Sequence, residues 1–336
     1  MIQIKNAAEL QKMRKACAIS AAALKAGGEA IEPGITTAEI DKIIYDFIVR
    51  HGARPNFLHL YGFPATACIS VNDTVIHGIP TRQQQIRPGD IVSIDTGCKI
   101  DGFNGDNACT YGCGKLDLEA QRLLDVTKES LHRGIEMARG GNRVGDIGHA
   151  VQSYVEENGF SVVRSFVGHG VGKELHEDPE VPNFGNAGRG PRLVPGMCIA
   201  VEPMVCQYKY AVKTLKDGWT VKTCDGGLAA HFEAYHGDHY GRCRGPDLRL
   251  GGTRMDFVRG QLVRSKAGRD KTRTLAVLAV DGPTLLVADG DLRKLDNPKR
   301  KKMQHVAPTT TVLENELLKS DQQLRDAIRA YDAARN

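Results

Sequence analysis

The apolar positions of two segments of the chain follow the same helical pattern. Residues 34–52 read GITTAEIDKIIYDFIVRHG, and residues 141–159 read GNRVGDIGHAVQSYVEENG. In both segments apolar residues fall at i, i+3, i+4, i+7 and i+8, which is the spacing of one helix face. Each has an acid in its first turn and a glycine after its last turn, which are typical helix boundaries. The pattern predicts two amphipathic helices related by an internal repeat.

Each repeated helix is preceded by another helical stretch, at about residues 7–27 and 117–139. Each is also followed by short strand-like segments, such as the apolar runs 91–94 and 197–201. Two halves that each hold two helices and several strands predict a pseudo-symmetric α+β domain.

Five side chains that can bind metals lie in short segments around these strands. They are four carboxylates and one imidazole: Asp95, Asp106, His169, Glu202 and Glu233. A carboxylate at the end of an apolar strand is costly to bury alone. A metal ion that takes the carboxylate as a ligand offsets that cost. The pattern therefore predicts a metal site, with two ligands from the first half and three from the second.

The five residues and their flanking sequences resemble the metal site of type I methionine aminopeptidases, which have the pita-bread fold. That family has the same order of Asp, Asp eleven residues later, His, Glu and Glu. Five flanking strings match as well: VNDTVIHGIP at 71–80, GHGVG at 168–172, HEDP at 176–179, VEPM at 201–204 and DGWT at 217–220. The resemblance covers about residues 3–233 and implies a pseudo-two-fold pita-bread metallopeptidase domain.

The resemblance implies two divalent metal ions as cofactors. Asp95 would hold one ion, His169 and Glu202 would hold the other, and Asp106 and Glu233 would bridge both. Oxygen ligands with a single imidazole suit Co²⁺, Mn²⁺, Fe²⁺ or Zn²⁺, and the sequence leaves the choice among them open.

The resemblance also implies hydrolysis of the first peptide bond of nascent polypeptides by a hydroxide held between the two ions. His176 would stabilise the oxyanion, His77 would contact the side of the scissile nitrogen, and Glu202 would transfer a proton. The products would be free methionine and a shortened chain, with a preference for small second residues. A proline-directed peptidase of the same fold and a non-catalytic pita-bread binding protein are the alternatives.

The resemblance further implies an apolar pocket for the methionine side chain. Its residues would be Phe57, Leu60, Tyr61, Phe63, Cys68, Leu175 and Trp219. Taken singly, each of them fits an ordinary core position better than a pocket position. Together, and beside the ligand set, they favour a methionine pocket. Phe57 stands where a well-known bacterial member of the family has a small cysteine, and it would narrow the pocket.

The positive charge of the chain belongs to its C-terminal part. The net charge is +5 overall, −2 over residues 1–233 and +5 over residues 255–336. Residues 258–265, 274–280 and 284–288 have strand-like patterns separated by Gly- and Asp-containing turns. Leucine and other apolar residues then mark an amphipathic terminal helix: Leu313, Leu317, Leu324, Ile328 and Tyr331.

The segment 255–336 resembles the KOW motif of small SH3-like barrels found in ribosome-associated and RNA-binding proteins. It would be an SH3-like β-barrel with a terminal helix. The run Lys299, Arg300, Lys301 and Lys302 is a candidate RNA-binding patch, and ribosomal RNA is the candidate partner. The alternative for this run is an ordinary solvated group of charges.

Residues 234–254 lack periodicity and have few aliphatic side chains. Residues 234–247 can be back-translated so that removal of one base gives HTMAITTDGAEVLT, which would supply the final strand of the pita-bread fold. We infer that a one-base insertion joined two reading frames, and a genuine linker is the alternative. We thus predict an aminopeptidase domain at 1–233 whose final strand is missing or altered, an irregular junction at 234–254 and a KOW-like domain at 255–336.

This inference adds a functional alternative, namely a fusion product with impaired catalysis that retains only RNA or ribosome binding.

Other features of the sequence indicate the cellular compartment of the protein. No apolar run is long enough to span a membrane, residues 1–6 lack a secretory apolar region, and the nine cysteines are typical of reduced thiols. We expect a cytoplasmic protein with no membrane partner and a monomeric aminopeptidase domain.

Overall fold

The computed structural model describes residues 1–237, 257, 259–266, 270, 273–281, 284–302, 305–313 and 315–333. The chain forms two compact units, Met1–Leu248 and Arg249–Asn336. Within the described ranges, no helix combines the length and the apolar character needed to cross a membrane.

The two predicted pairs of helices are present in the first unit. They are α1 (Ala7–Glu29), α2 (Thr37–Arg50), α3 (Leu118–Met137) and α4 (Val144–Glu157). Side-chain oxygens of Asn6, Thr36 and Asp117 accept backbone N–H groups at the first turns of α1, α2 and α3, which fixes where these helices begin. The apolar faces of α2 and α4 are buried in one core, which confirms the two predicted amphipathic helices.

The strands of the first unit are short except for one long hairpin. They are β1 (Arg54–Pro55), β2 (Ala67–Val71), β3 (Thr74–Ile76), β4 (Ile91–Ile100), β5 (Phe103–Gly112), β6 (Ser161–Val162), β7 (Gly168–Gly170), β8 (Glu177–Val181), β9 (Cys198–Val201), β10 (Met204–Cys206), β11 (Val212–Thr214), β12 (Val221–Thr223), β13 (Ala229–His231) and β14 (Ala234–Gly237). In the sheet of the first half, β4 pairs with β5 along its whole length, and it also pairs with β2 and β1 at successive positions. The sheet of the second half has the order β14-β9-β7-β8.

The long hairpin of β4 and β5 explains the spacing of the two aspartates. Asp101 and Gly102 form its two-residue turn with φ angles of 52° and 83°, values that suit an Asp-Gly hairpin. In the resulting register Asp95 lies opposite Ala108, and Asp106 lies opposite Gly97. Because directly opposed residues and residues two apart share a face, both carboxylates lie on the same face of the sheet.

A strand follows Glu233, where the sequence predicts a final strand that is missing or altered. Residues Ala234–Gly237 form β14 and pair antiparallel with Val201–Cys198 of β9. Backbone hydrogen bonds build this pairing, and they do not require the alternating side chains that pattern analysis detects. The rest of the junction, residues 238–254, lies outside the described residues.

The second unit contains a five-stranded antiparallel sheet and a helix. Its elements are β15 (Gln261–Ser265), β16 (Thr274–Asp281), β17 (Thr284–Ala288), β18 (Lys299–Lys302), β19 (Val306–Val312) and α5 (Asp321–Ala333). The strand order is β18-β17-β16-β15-β19. The three predicted strands are therefore confirmed, whereas the assignment to an SH3-like KOW barrel stays a prediction.

The terminal helix is shorter than its apolar pattern predicts. It begins at Asp321, so that it contains Leu324, Ile328 and Tyr331 but neither Leu313 nor Leu317. The N–H of Leu313 donates to the carbonyl of Gly260, which extends the pairing of β19 with β15 and excludes a helical conformation there. Leu317 lies in a short 3-10 helix, Asn315–Leu318.

Candidate metal centre

All five predicted ligands lie on elements that meet between the two halves of the first unit. Asp95 and Asp106 extend from the β4–β5 hairpin, and His169 lies in β7. Glu202 directly follows β9, and Glu233 lies between β13 and β14. Strands β7, β9 and β14 are neighbours in one sheet, which brings the three ligands of the second half together.

One backbone hydrogen bond connects the ligands of the two halves. The N–H of Glu233 donates to the carbonyl of Ala108 at 2.9 Å, and Ala108 lies opposite Asp95 in the hairpin. The last ligand along the chain is thereby fixed against the strands that carry the first two.

The ligand atoms are close enough to share a metal site. Nε2 of His169 lies 3.9 Å from Oδ2 of Asp106 and 3.5 Å from Oε1 of Glu202. Asp106, His169 and Glu233 each offer one ligand atom, and these three atoms lie within 4.8 Å of one another. The exposed fractions of Asp106 and Glu233 are only 3% and 2%. Water therefore has little access to these carboxylates.

Several buried oxygens of the cluster lack a hydrogen-bond partner among the described residues. They are Oδ1 of Asp95, Oδ1 of Asp106 and Oε1 of Glu233. A buried polar atom without a partner costs free energy, and native structures contain few of them. Unpaired carboxylate oxygens beside one imidazole fit a divalent metal of the Mn²⁺, Fe²⁺, Co²⁺ or Zn²⁺ type. The residues present therefore suit the ions that the sequence predicts.

The pKa values of the ligand side chains also favour the binding of a cation. Burial raises the pKa of Asp106 to about 7. Burial and the nearby carboxylates raise the pKa values of Asp95, Glu202 and Glu233 well above their usual ranges. Burial and the neighbouring His176 lower the pKa of His169 to about 4. The imidazole is thus neutral at pH 7, which is the form that binds metals, and a bound cation displaces protons from the carboxyl groups.

The two further histidines predicted at the site lie beside the cluster. The ring of His176 meets the ring of His169 edge to face, with centroids 4.4 Å apart. The ring of His77 packs edge to face on Phe166 at 5.7 Å and on Trp219 at 6.3 Å. Burial lowers the pKa of both His77 and His176, so that each is a neutral hydrogen-bond donor at pH 7.

An apolar cluster next to the metal ligands contains most of the predicted pocket residues. Its buried members are Phe57, Phe63, Ala65, Cys68 and Leu175, and Leu60, Ile79 and Trp219 pack against them. Cys68 in β2 lies directly opposite Asp95 in β4, so that one cross-strand pair joins the apolar cluster to a predicted metal ligand. The sequence analysis missed Ala65 and Ile79 because small and aliphatic residues of this kind carry no signal that separates them from ordinary core.

Tyr61 is not a member of this apolar cluster, and its role in substrate binding stays a prediction. It lies in the 3-10 turn Leu60–Gly62 with a φ angle of 52°, and 77% of the residue is exposed. Its ring stacks on the ring of His176, with centroids 6.2 Å apart.

Two buried polar residues that the sequence analysis missed contact Glu202. Nε2 of His231 lies 3.7 Å from Oε2 of Glu202. Nδ2 of Asn183 donates to the backbone carbonyl of Glu202 at 2.9 Å. His231 stands two residues before Glu233, at the end of an apolar strand, and this position is a signal that could have identified it. Asn183 has no comparable signal in the sequence.

Replacement of Asp106 tests the metal site. Asp106→Asn should weaken Mn²⁺ binding by at least about 100-fold, because an amide cannot provide the second anionic oxygen. The affinity can be measured by isothermal titration calorimetry, with circular dichroism as a check on folding. Asp101→Asn is the matched control, since Asp101 is exposed in the hairpin turn and Asn tolerates its positive φ angle. Wild-type Mn²⁺ affinity in Asp106→Asn would contradict the site.

Known proteins share the sequence and fold of the first unit. The chain is 55% identical over 233 residues to a methionine aminopeptidase of Clostridium perfringens, and the match covers 69% of this chain and 93% of that protein. It is 48% identical over 233 residues to methionine aminopeptidase 1 of Bacillus subtilis, covering 69% and 94%.

Solved structures of known proteins are also similar to the first unit. The crystal structure of methionine aminopeptidase from Thermotoga maritima matches with a TM-score of 0.69 and 42% identity, over 70% of this chain and 94% of that one. Prolidase from Pyrococcus furiosus matches with a TM-score of 0.56 and 22% identity, which shows a shared fold only. The model of metallopeptidase family M24 matches residues 11–236. With its ligand cluster between two pseudo-symmetric halves, the chain belongs to metallopeptidase family M24.

Proposed function

We propose that the chain removes the N-terminal methionine from nascent polypeptides, with a preference for small second residues. The observation that carries this proposal is the apolar cluster that contains Phe63 and Trp219, which the Cys68–Asp95 pair joins to the metal ligands. A substrate whose first side chain packs against this cluster would have its first peptide bond beside the carboxylates. This arrangement suits an exopeptidase that recognises an apolar first residue.

The five ligands would hold two divalent ions, which supply Lewis acidity at the scissile carbonyl and activate water. Neutral His176 would donate an N–H to the carbonyl oxygen as that oxygen gains negative charge. His77 would contact the nitrogen side of the same bond. Glu202, whose pKa is raised by burial and by Asp95 and Asp106, would accept a proton from water and deliver it to the departing amine.

The composition of the pocket supports methionine as the first residue of the substrate. Phe63 and Trp219 meet edge to face with centroids 5.1 Å apart, and they offer ring edges to a thioether sulfur. Phe57 reduces the space available for a larger side chain. A prolidase-like activity is the alternative, and the lower similarity to Pyrococcus furiosus prolidase makes it the weaker candidate.

The proposal predicts metal-dependent release of methionine from Met-Ala and Met-Gly peptides. His176→Ala should lower kcat by about 100-fold, because the oxyanion loses a donor, while the content of bound metal stays unchanged. His149→Ala, at an exposed position of α4, is the matched control and should keep full activity. Cleavage of Ala-Pro peptides without cleavage of Met-Ala would overturn the proposal in favour of a proline-directed enzyme.

We propose in addition that the second unit binds RNA phosphates through its edge strand β18. Lys299, Arg300 and Lys302 of this strand are exposed. Lys301 differs from them, since it is buried and its ammonium group lies 3.3 Å from the carboxylate of Asp270. The proposal therefore uses three of the four cations that the sequence analysis selected. Three exposed charges among four consecutive residues of an edge strand would contact a phosphate backbone without reading its sequence.

RNA binding should be weak and strongly salt-dependent. Loss of three phosphate contacts should reduce the slope of log K against log salt by about 2–3. The variant Lys299→Gln/Arg300→Gln/Lys302→Gln tests this by fluorescence anisotropy with a ribosomal RNA fragment. A control variant with the same change of charge is Lys25→Gln/Lys42→Gln/Arg133→Gln, on helices of the first unit. Absence of binding by the wild type at low salt would refute the RNA proposal.

A further inference from the structure

The first unit contains a buried ion pair that contributes no ligand to the metal centre. Nζ of Lys5 lies 2.5 Å from Oε2 of Glu177, and the exposed fractions of the two side chains are 5% and 9%. A surface pair of the same type, Lys15 with Asp101, has exposed fractions of 54% and 44%. Since burying two charges costs several kcal/mol per ion before their attraction is counted, a buried pair is weak support for stability alone.

The carboxylate of this pair closes the loop that carries His176. Glu177 directly follows His176 and begins β8. Its Oε1 accepts the backbone N–H of Glu174 at 3.2 Å, while its Oε2 accepts from Lys5. One side chain therefore connects both ends of the turn around His176 to the ammonium group of Lys5.

Lys5 is in turn fixed to the strand that leads to Glu202. The backbone N–H of Lys5 donates to the carbonyl of Gly196 at 2.8 Å, two residues before β9 begins. Its ammonium group also donates to the carbonyl of Gln3 at 3.1 Å. Because Glu202 directly follows β9, Lys5 links the loop of His176 to the segment that positions a metal ligand.

The pair packs tightly against the chain next to His169. A Cβ atom added at Gly172 would lie 2.4 Å from Oε1 of Glu177 and 2.6 Å from Cε of Lys5. From the opposite strand, the N–H of Asn104 donates to the carbonyl of Gly172 at 2.9 Å, and its Nδ2 donates to that of Lys173 at 2.9 Å. The loop is thus held from two sides, by the pair and by a residue of β5 close to Asp106.

We propose that the Lys5–Glu177 pair is a positioning element that fixes His176 relative to the metal ligands. The proposal rests on the proposed function, in which His176 contacts the scissile carbonyl. Without the ammonium group, the buried carboxylate of Glu177 would lack its counter-charge, and it would release the N–H of Glu174 as it turns to water. A displacement of about 1 Å at a catalytic group costs up to about 100-fold in rate.

A double-mutant cycle distinguishes this role from a general structural one. Lys5→Met should lower kcat on Met-Ala peptides by about 10–100-fold with little change in KM or in bound Mn²⁺. In the His176→Ala background the same change should lower kcat by less than about twofold, because its effect passes through His176. Lys5→Arg, which keeps the positive charge, should have a kcat close to that of the wild type and well above that of Lys5→Met. An equal loss in both backgrounds would overturn the proposal.

Hydrogen exchange gives a measurement that does not depend on activity. The backbone amide of Glu174 should exchange faster than in the wild type in two variants, Lys5→Met and Gly172→Ala. Lys5→Met removes the positive charge, whereas Gly172→Ala displaces the ion pair and keeps both charges. Lys15→Met, which removes the exposed surface pair, should change neither the exchange at Glu174 nor kcat. Unchanged exchange in both test variants would refute the positioning role.

Different results would contradict the proposed function and the positioning role of the Lys5–Glu177 pair. A wild-type protein that releases no methionine contradicts the proposed function, and the exchange at Glu174 then decides the role of the pair. A wild-type protein that is active, together with a fully active Lys5→Met variant, leaves the proposed function intact and overturns the positioning role.

Discussion

The main constraint on the structure of the first unit is the burial of four carboxyl groups around one imidazole. No described side-chain cation neutralises this cluster, and several of its oxygens have no hydrogen-bond partner among the described residues. Burial of such groups opposes folding unless protons or a cation neutralise them. The long β4–β5 hairpin and the sheet β14-β9-β7-β8 supply the rigid strands that hold these groups together despite their repulsion. The same arrangement that costs folding free energy creates affinity for divalent metals.

Two kinds of buried charge are therefore arranged side by side in this unit. The ligand cluster takes protons or a cation from solution, whereas Glu177 receives its cation from Lys5 of the same chain. The first arrangement can exchange its cation and suits chemistry on a substrate. The second is permanent and suits the placement of a group such as His176. Together they account for a reactive centre whose surrounding loop is held in one position.

The sequence predicted the parts of the fold that local patterns encode. The repeated helices were predictable because a buried face must recur every 3.6 residues, and the separation of Asp95 from Asp106 follows from one hairpin. The Lys5–Glu177 pair was not predictable, because its members are 172 residues apart and only the tertiary fold brings them together. The pairing of β14 with β9 also had no signal in the side-chain pattern, since backbone hydrogen bonds form it.

The central claim is that the carboxylate cluster binds divalent metals. The most direct test of this claim is a measurement of the free energy of unfolding as a function of pH. Burial raises the pKa of Asp106 from 3.8 to about 7, so between these values the folded protein binds a proton that the unfolded chain has released. Without metal, the free energy of unfolding of the first unit should therefore decrease as the pH rises from about 4 to about 7. Saturating Mn²⁺ should remove or reverse this decrease, because the cation replaces the protons. A metal-free free energy of unfolding that is independent of pH, or one that Mn²⁺ does not raise near pH 7, would contradict the account.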